Sequence, residues 1–126
     1  MAKPGSVIGW TLDEAERATL LKQYPPRFAK VVAHHVTLAT DAEDRELPDA
    51  VRAEIVGRAD DDQGVDAMVV AIDGDTARPD GSTFHITWSL GPGRQAKESN
   101  DVIAKHGWTP LPQPVPVRLE PRPFGG

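Results

Sequence analysis

The sequence predicts an α+β fold: one mainly antiparallel sheet with two helices. Three observations lead there. Several segments between residues 28 and 90 alternate with period two, as strand side chains do when they turn to opposite faces. Gly-, Pro- and Asp-rich turns separate these segments. Two stretches with helix start and stop signals flank them.

The first ten residues, with Lys3, Pro4 and Gly5, read as a loose or edge-strand lead-in ending at Trp10. Thr11-x-x-Glu14 has the form of a capping box, in which the threonine oxygen accepts an N3 amide hydrogen and the glutamate reaches back. A helix is expected from about Leu12 to Tyr24, with Leu12, Ala15, Leu20, Leu21 and Tyr24 as its apolar contacts, ended by Pro25-Pro26. From Phe28 to Ala39 the period becomes two. Val32, His34, Val36 and Leu38 share one face, and Val31, Ala33, His35, Thr37 and Ala39 the other, so small residues mostly surround His35 and Thr37. Asp41 to Asp49 is an acidic, proline-containing connection.

Strands at about Arg52 to Ala59 and Val65 to Asp73 should form an antiparallel hairpin around the turn Asp60-Asp61-Asp62-Gln63-Gly64. The second is apolar on both faces at its centre, as an inner strand requires. After a polar turn at Arg78 to Gly81, the strand Ser82 to Leu90 alternates cleanly. Phe84, Ile86, Trp88 and Leu90 point one way; Thr83, His85, Thr87 and Ser89 point the other. A second helix is expected from about Asp101 to Lys105 or His106, capped by Ser99 or Asn100 and stopped at Gly107. Pro110, Pro112, Pro114 and Pro116 leave at most an edge strand through Val115, Val117 and Leu119, because proline cannot donate to a sheet ladder. Pro121 to Gly126 reads as a mobile tail. Both helices are expected on the face opposite the two histidine-bearing strands.

The 126 residues suit one domain with a core of about 11–120, and the 39% hydrophobic and 26% charged content is ordinary for a globular chain. Cysteine is absent, which removes disulfides and thiol chemistry. A net charge of −5 argues against a general nucleic-acid coat, since such binding needs many cationic contacts, but leaves open a pocket for one nucleotide or RNA end. No apolar run approaches the roughly 20 residues that span a bilayer, and no signal peptide is legible, so a cytoplasmic protein without membrane contact is expected. Oligomeric state is not legible.

The chemistry centres on His35-Val36-Thr37-Leu38 and, fifty positions later, His85-Ile86-Thr87-Trp88. In each, histidine and threonine stand on one strand face. A face made of hydroxyls and an imidazole, as at His85 and Thr87, is neither core nor ordinary charged surface. Displacement at phosphorus needs one group to take a proton from the attacking oxygen and another to give one to the leaving oxygen. Histidine, with an ordinary pKa of about 6.5, suits both tasks. Threonine hydroxyls can donate to nonbridging phosphate oxygens.

The two tetrapeptides resemble the paired His-x-Ser/Thr-x signature of the two-histidine (2H) phosphoesterases, which cleave cyclic phosphates at RNA ends or in nucleotides, or join and open 2′-5′ RNA linkages. Within that superfamily the chain is most similar to the cyclic phosphodiesterase domain of fungal tRNA ligases and its short relatives. The approach Phe28-Ala29-Lys30, the inner strand Gly64 to Ile72 and Glu98-Ser99-Asn100 add to the likeness, which covers about Tyr24 to Val102. The resemblance implies two similar lobes with one His-x-Thr strand on each side of a cleft. It also implies His35 and His85 as general base and acid, Thr37 and Thr87 as phosphate ligands, and a metal-independent phosphodiesterase acting on a 2′,3′-cyclic phosphate, with no cofactor. A nucleotide or RNA-end binding module with little catalysis, or an RNA 2′-5′ ligase, are the alternatives. A two-histidine metal site ranks last because no third ligand is evident.

Arg94, Lys97 and Lys30 are the best nearby cations for a second phosphate, though such residues are more often solvated charges. His34 falls on the other strand face and reads as a buried or hydrogen-bonded structural residue, and His106 as a helix-end residue. Trp10 and Trp88 could stack on a base, though Trp88 shares its face with Phe84 and Ile86, which suits a core.

Overall fold

The computed structural model describes residues 7–39 and 46–124. The lead-in residues Lys3, Pro4 and Gly5, the part of the acidic connection from Asp41 to Arg45, and Gly125 and Gly126 of the tail lie outside the described residues.

The chain runs β1 (Val7–Leu12), α1 (Glu14–Gln23), β2 (Lys30–Val31), β3 (His35–Ala39), β4 (Ala53–Asp60), β5 (Val65–Ile72), β6 (His85–Leu90), α2 (Glu98–His106), β7 (Thr109–Val117) and β8 (Leu119–Phe124). All pairings are antiparallel, in the order β7-β4-β5-β6-β3-β1-β8, with β2 also pairing β6. The two outermost strands in this order, β7 and β8, are joined by the single residue Arg118. One residue spans under 4 Å, so the sheet must curl until its edges nearly meet, giving a half-barrel. The corner is pinned to the first helix: Asp13 N donates to Arg118 O (3.1 Å) and Arg118 N donates to Glu16 Oε1 (2.9 Å).

The prolines at alternate positions fit this arrangement. Every second residue of an edge strand turns its N–H away from the only neighbour, so a proline there removes no ladder bond. Pro121 and Pro123 take such places opposite Trp10 and Ile8, and the stretch expected as a mobile tail is, through Phe124, the strand β8. For the same reason β1 is an inner strand rather than an edge, with Trp10 2% exposed.

The first helix starts two residues later than the Thr11 box suggests. Thr11 belongs to β1, and Asp13 is the N-cap, its side chain accepting from Glu16 N (3.1 Å). The second helix begins earlier, at Glu98, without a side-chain cap at Lys97. Gly107, at φ 71°, ends it as expected. The Asp60 to Gly64 stretch is a turn held by Asx-type bonds: Asp61 Oδ1 accepts from Gln63 N (2.9 Å) and Val65 N (3.0 Å).

Two apolar layers lie on the two faces of the sheet. The larger gathers Trp10, Val36, Ile55, Met68, Ile86, Trp88 and Val117 with Leu20 of α1; the smaller gathers Val65, Ala67, Val69 and Leu90 with Val102 and Ile103 of α2. Each fully buried large side chain contributes roughly 1.5–3 kcal/mol. α1 therefore lies opposite the histidine motifs, as expected. α2 does not: it packs on the motif face, where Ser99 Oγ meets Thr87 Oγ1 at 2.9 Å. Ala67 and Val69 pair with Thr87 and His85, so the motif face has an apolar flank that a helix has to cover.

No helix among the described residues is long and apolar enough to cross a membrane.

Candidate functional site

The two motifs meet through one ladder pair. Val36 pairs with Ile86, the middle residues of the two His-x-Thr units, and both are fully buried. With these two facing the core, period-two alternation turns His35, Thr37, His85 and Thr87 to the other face. Pairing centre to centre relates the motifs by a local two-fold axis, which carries His35 onto His85 and Thr37 onto Thr87. Thr37 then stands beside His85, and the two histidines lie on a diagonal, with Cα atoms roughly 7–8 Å apart. On the outer side β1 sets Thr11 against His35 and Gly9 against Thr37. A side chain at Gly9 would collide with the Val36 carbonyl oxygen, so glycine lets β1 and β3 approach closely here.

The single strand expected over Phe28 to Ala39 is broken in two. Val32 N and Ala33 N donate to Trp88 O and Thr87 O, both at 2.9 Å, after which Ala33 takes φ 44° and the chain leaves the ladder until Val36. That left-handed backbone is unfavourable for alanine. Arg17 of α1 holds it, with Nε donating to Ala33 O (2.9 Å) and Nη2 to Val32 O (3.1 Å). The break ends the alternation that placed His34 on a core face: His34 is exposed, and its Nδ1 lies 3.0 Å from His35 Nδ1 with the rings at 78°.

His85 is 9% exposed, and its Nδ1 lies 2.9 Å from Thr83 O. A carbonyl only accepts, so Nδ1 carries the proton and the neutral ring keeps its lone pair on Nε2. Thr87 Oγ1 donates to Ala96 O (3.3 Å) or shares a proton with Ser99 Oγ, so its hydroxyl is turned toward α2. The Thr37 hydroxyl has no hydrogen bond to another described residue, while its carbonyl accepts from Arg78 Nη1 (3.4 Å).

Arg78 is the cation that the tertiary structure brings to this face. Its guanidinium grips Asp80 with Nε and Nη2 (3.0 and 2.8 Å) and reaches Asn100 Oδ1 (3.5 Å). The Arg78 hydrogen bond, with help from Ser82, holds the Asp80 carboxyl well below the usual carboxylate range.

Both histidines are pushed down from 6.5. Burial lowers His35 to about 4, with further lowering by the nearby charges of His34 and His85. Burial is also the main cause at His85, where the Thr83 carbonyl acts upward and Arg78 downward. Both rings are therefore neutral at pH 7.

His35, Thr37, His85 and Thr87 thus come together on one face. The other residues singled out from the sequence lie elsewhere or are otherwise engaged. Arg94 is taken up by Asp61 (2.8 Å), Glu98 (3.0 Å) and the Gln63 carbonyl (2.5 Å), fastening the β4–β5 turn to the start of α2. Lys97 is exposed at the N-cap of α2, and Lys30 is exposed on β2. Trp10 and Trp88 are core residues whose indole N–H groups donate to Asp49 O (3.0 Å) and Tyr24 O (2.9 Å). His106 is exposed at the end of α2.

Arg17, Arg78 and Ser99 were not found by sequence reasoning as site residues. Arg17 and Arg78 sit in a helix and a polar turn with nothing in their spacing to point at the motifs. Glu98-Ser99-Asn100 carries only the likeness and a capping signal in the sequence.

No protein-family model matches the chain, and no curated protein or solved structure matches it either.

Proposed function

We propose that the chain is a phosphodiesterase of the two-histidine type, opening a 2′,3′-cyclic phosphate of a nucleotide or RNA end. The observation that supports this most is the Val36–Ile86 pairing, which sets two His-x-Thr units symmetrically on one face. Only the register that pairs the middle residues of the two His-x-Thr units relates them by a two-fold axis.

On this reading water attacks phosphorus as one neutral imidazole takes its proton. The P–O bond to one ribose oxygen breaks as the other imidazole delivers a proton to that oxygen, leaving a phosphomonoester. Exchange with solvent then restores both rings, and no step calls for a metal or cofactor. His85 is the better base, because its Thr83 contact fixes the lone pair on Nε2. His35 then serves as the acid; the arriving phosphate anion raises its pKa and so favours the protonated form. Thr37 offers a hydroxyl donor, and Arg78, paired with Asp80, fixes the Thr37 backbone through its carbonyl.

The test is hydrolysis of 2′,3′-cyclic nucleotides by wild type, His35→Ala and His85→Ala. Loss of roughly 10²- to 10⁴-fold in each variant is expected for an acid–base group. No turnover by the wild type on cyclic and 2′-5′ linked substrates, or unchanged rates in both variants, would sink the proposal.

A binding module with little turnover is the second reading, favoured by one observation: the Thr87 hydroxyl is turned to Ala96 and Ser99. Tight nucleotide binding in calorimetry without turnover would select it.

A further inference from the structure

A cleft of about 480 Å³ lies where β1, the start of α1 and the Ala33 break meet, lined by Thr11, Leu12, Glu14, Arg17, Val32 and His34. Its volume is in the range of small-molecule sites. It adjoins His35 at two points. Thr11 is the ladder partner of His35, and His34 Nδ1 is 3.0 Å from His35 Nδ1. A phosphate at His35 would therefore be separated from this cleft by Thr11 and His34 alone.

We propose that this cleft holds the nucleobase of the substrate and selects guanine, an inference that rests on the two-histidine reading of the phosphate site. Glu14 and Arg17 are three residues apart on α1, so they share a helix face. Glu14 is exposed and makes no hydrogen bond or ion pair to another described residue. Arg17 uses Nε and Nη2 on the Ala33 and Val32 carbonyls, and its Nη1 has no partner among the described residues.

The cleft thus presents an acceptor-only carboxylate beside a donor-only nitrogen. Guanine answers that pair: N1–H and the exocyclic N2–H₂ are adjacent donors for the carboxylate, and O6 next to them accepts from Nη1. Adenine and cytosine put a ring acceptor where the carboxylate needs a donor, and uracil sets its one N–H between two carbonyl oxygens. Leu12 and Val32 supply apolar walls, and the exposed His34 ring offers a face on which a base can stack.

The experiment is calorimetry of wild type and Glu14→Gln with the 3′-monophosphates of guanosine, adenosine, cytidine and uridine, alongside hydrolysis of the four 2′,3′-cyclic mononucleotides. Thermal melts establish that the variant is folded, as expected for an exposed helix position. Wild type should bind the guanosine nucleotide roughly 10- to 100-fold more tightly than the others, the discrimination of a good bidentate contact. Glu14→Gln should lose that preference and leave the other three affinities unchanged. Equal affinity for all four, no measurable binding of any, or a guanine preference that survives Glu14→Gln overturns the assignment. The two readings fail separately. Guanine-selective binding without turnover refutes the phosphodiesterase and keeps the cleft, whereas equal turnover of all four nucleotides, insensitive to Glu14→Gln, does the reverse.

Discussion

Moving from pH 7 to pH 5 should destabilise this protein through the histidines of the motif face, and the size of the loss follows from the environment of His35. Folding lowers its pKa from 6.5 to about 4, chiefly by burial. Between those values the unfolded chain binds the proton more readily than the folded one. The stability lost therefore grows as pH falls from about 6.5 to about 4, and is complete below that. At pH 5 the difference amounts to about 2 kcal/mol for His35. Partial contact with solvent brings this to about 1–2 kcal/mol. His85, lowered for the same reason, acts in the same direction. The depressed carboxyls of Asp80, Asp61 and Glu98 lose their contributions only at lower pH, so they leave this window to the histidines. Urea unfolding at pH 7 and pH 5, for wild type and His35→Gln, isolates the effect. The wild type should lose about 1–2 kcal/mol more than the variant across the interval. Equal losses in the two proteins, or an NMR titration of His35 with a midpoint near 6.5, would refute the reasoning.

Three further outcomes follow from the packing around the site. Gly9→Ala should cost about 3 kcal/mol or prevent folding, since the added methyl would strike the Val36 carbonyl oxygen, and chemical denaturation measures it. Asp66→Ala should destabilise by about 3–5 kcal/mol. It removes the fully buried carboxylate that pairs with Arg58 Nε (2.9 Å) and accepts from Ser89 Oγ (2.8 Å) and Arg27 N (3.2 Å), and so unfastens the connection leading into β2. The pH profile of kcat/KM on a cyclic nucleotide should peak below pH 6.5, because both free-protein histidine pKa values are lowered and one ring must be neutral while the other is protonated; a maximum above pH 7 would exclude the pair as the titrating groups.

The sequence by itself determined the elements whose signals are local. The hairpin around Asp61, the inner strand at Val65 to Ile72, the alternation that turns His85 and Thr87 away from the core, and the stop at Gly107 all rest on periodicity or turn chemistry within a few residues. It also supplied the two motifs themselves. Their register, and with it the diagonal of the histidines, belongs to the tertiary structure, because pairing across fifty residues is set by the core on the other face, where Trp10, Val36, Ile86 and Met68 fit together. The same holds for the break at Ala33, which a distant guanidinium stabilises and which brings His34 beside His35 instead of burying it. The proline-rich end shows the division most clearly. Proline states where a ladder bond is impossible, and that is visible in the chain; only the curl of the sheet provides two edges, one residue apart along the chain, at which those positions cost nothing.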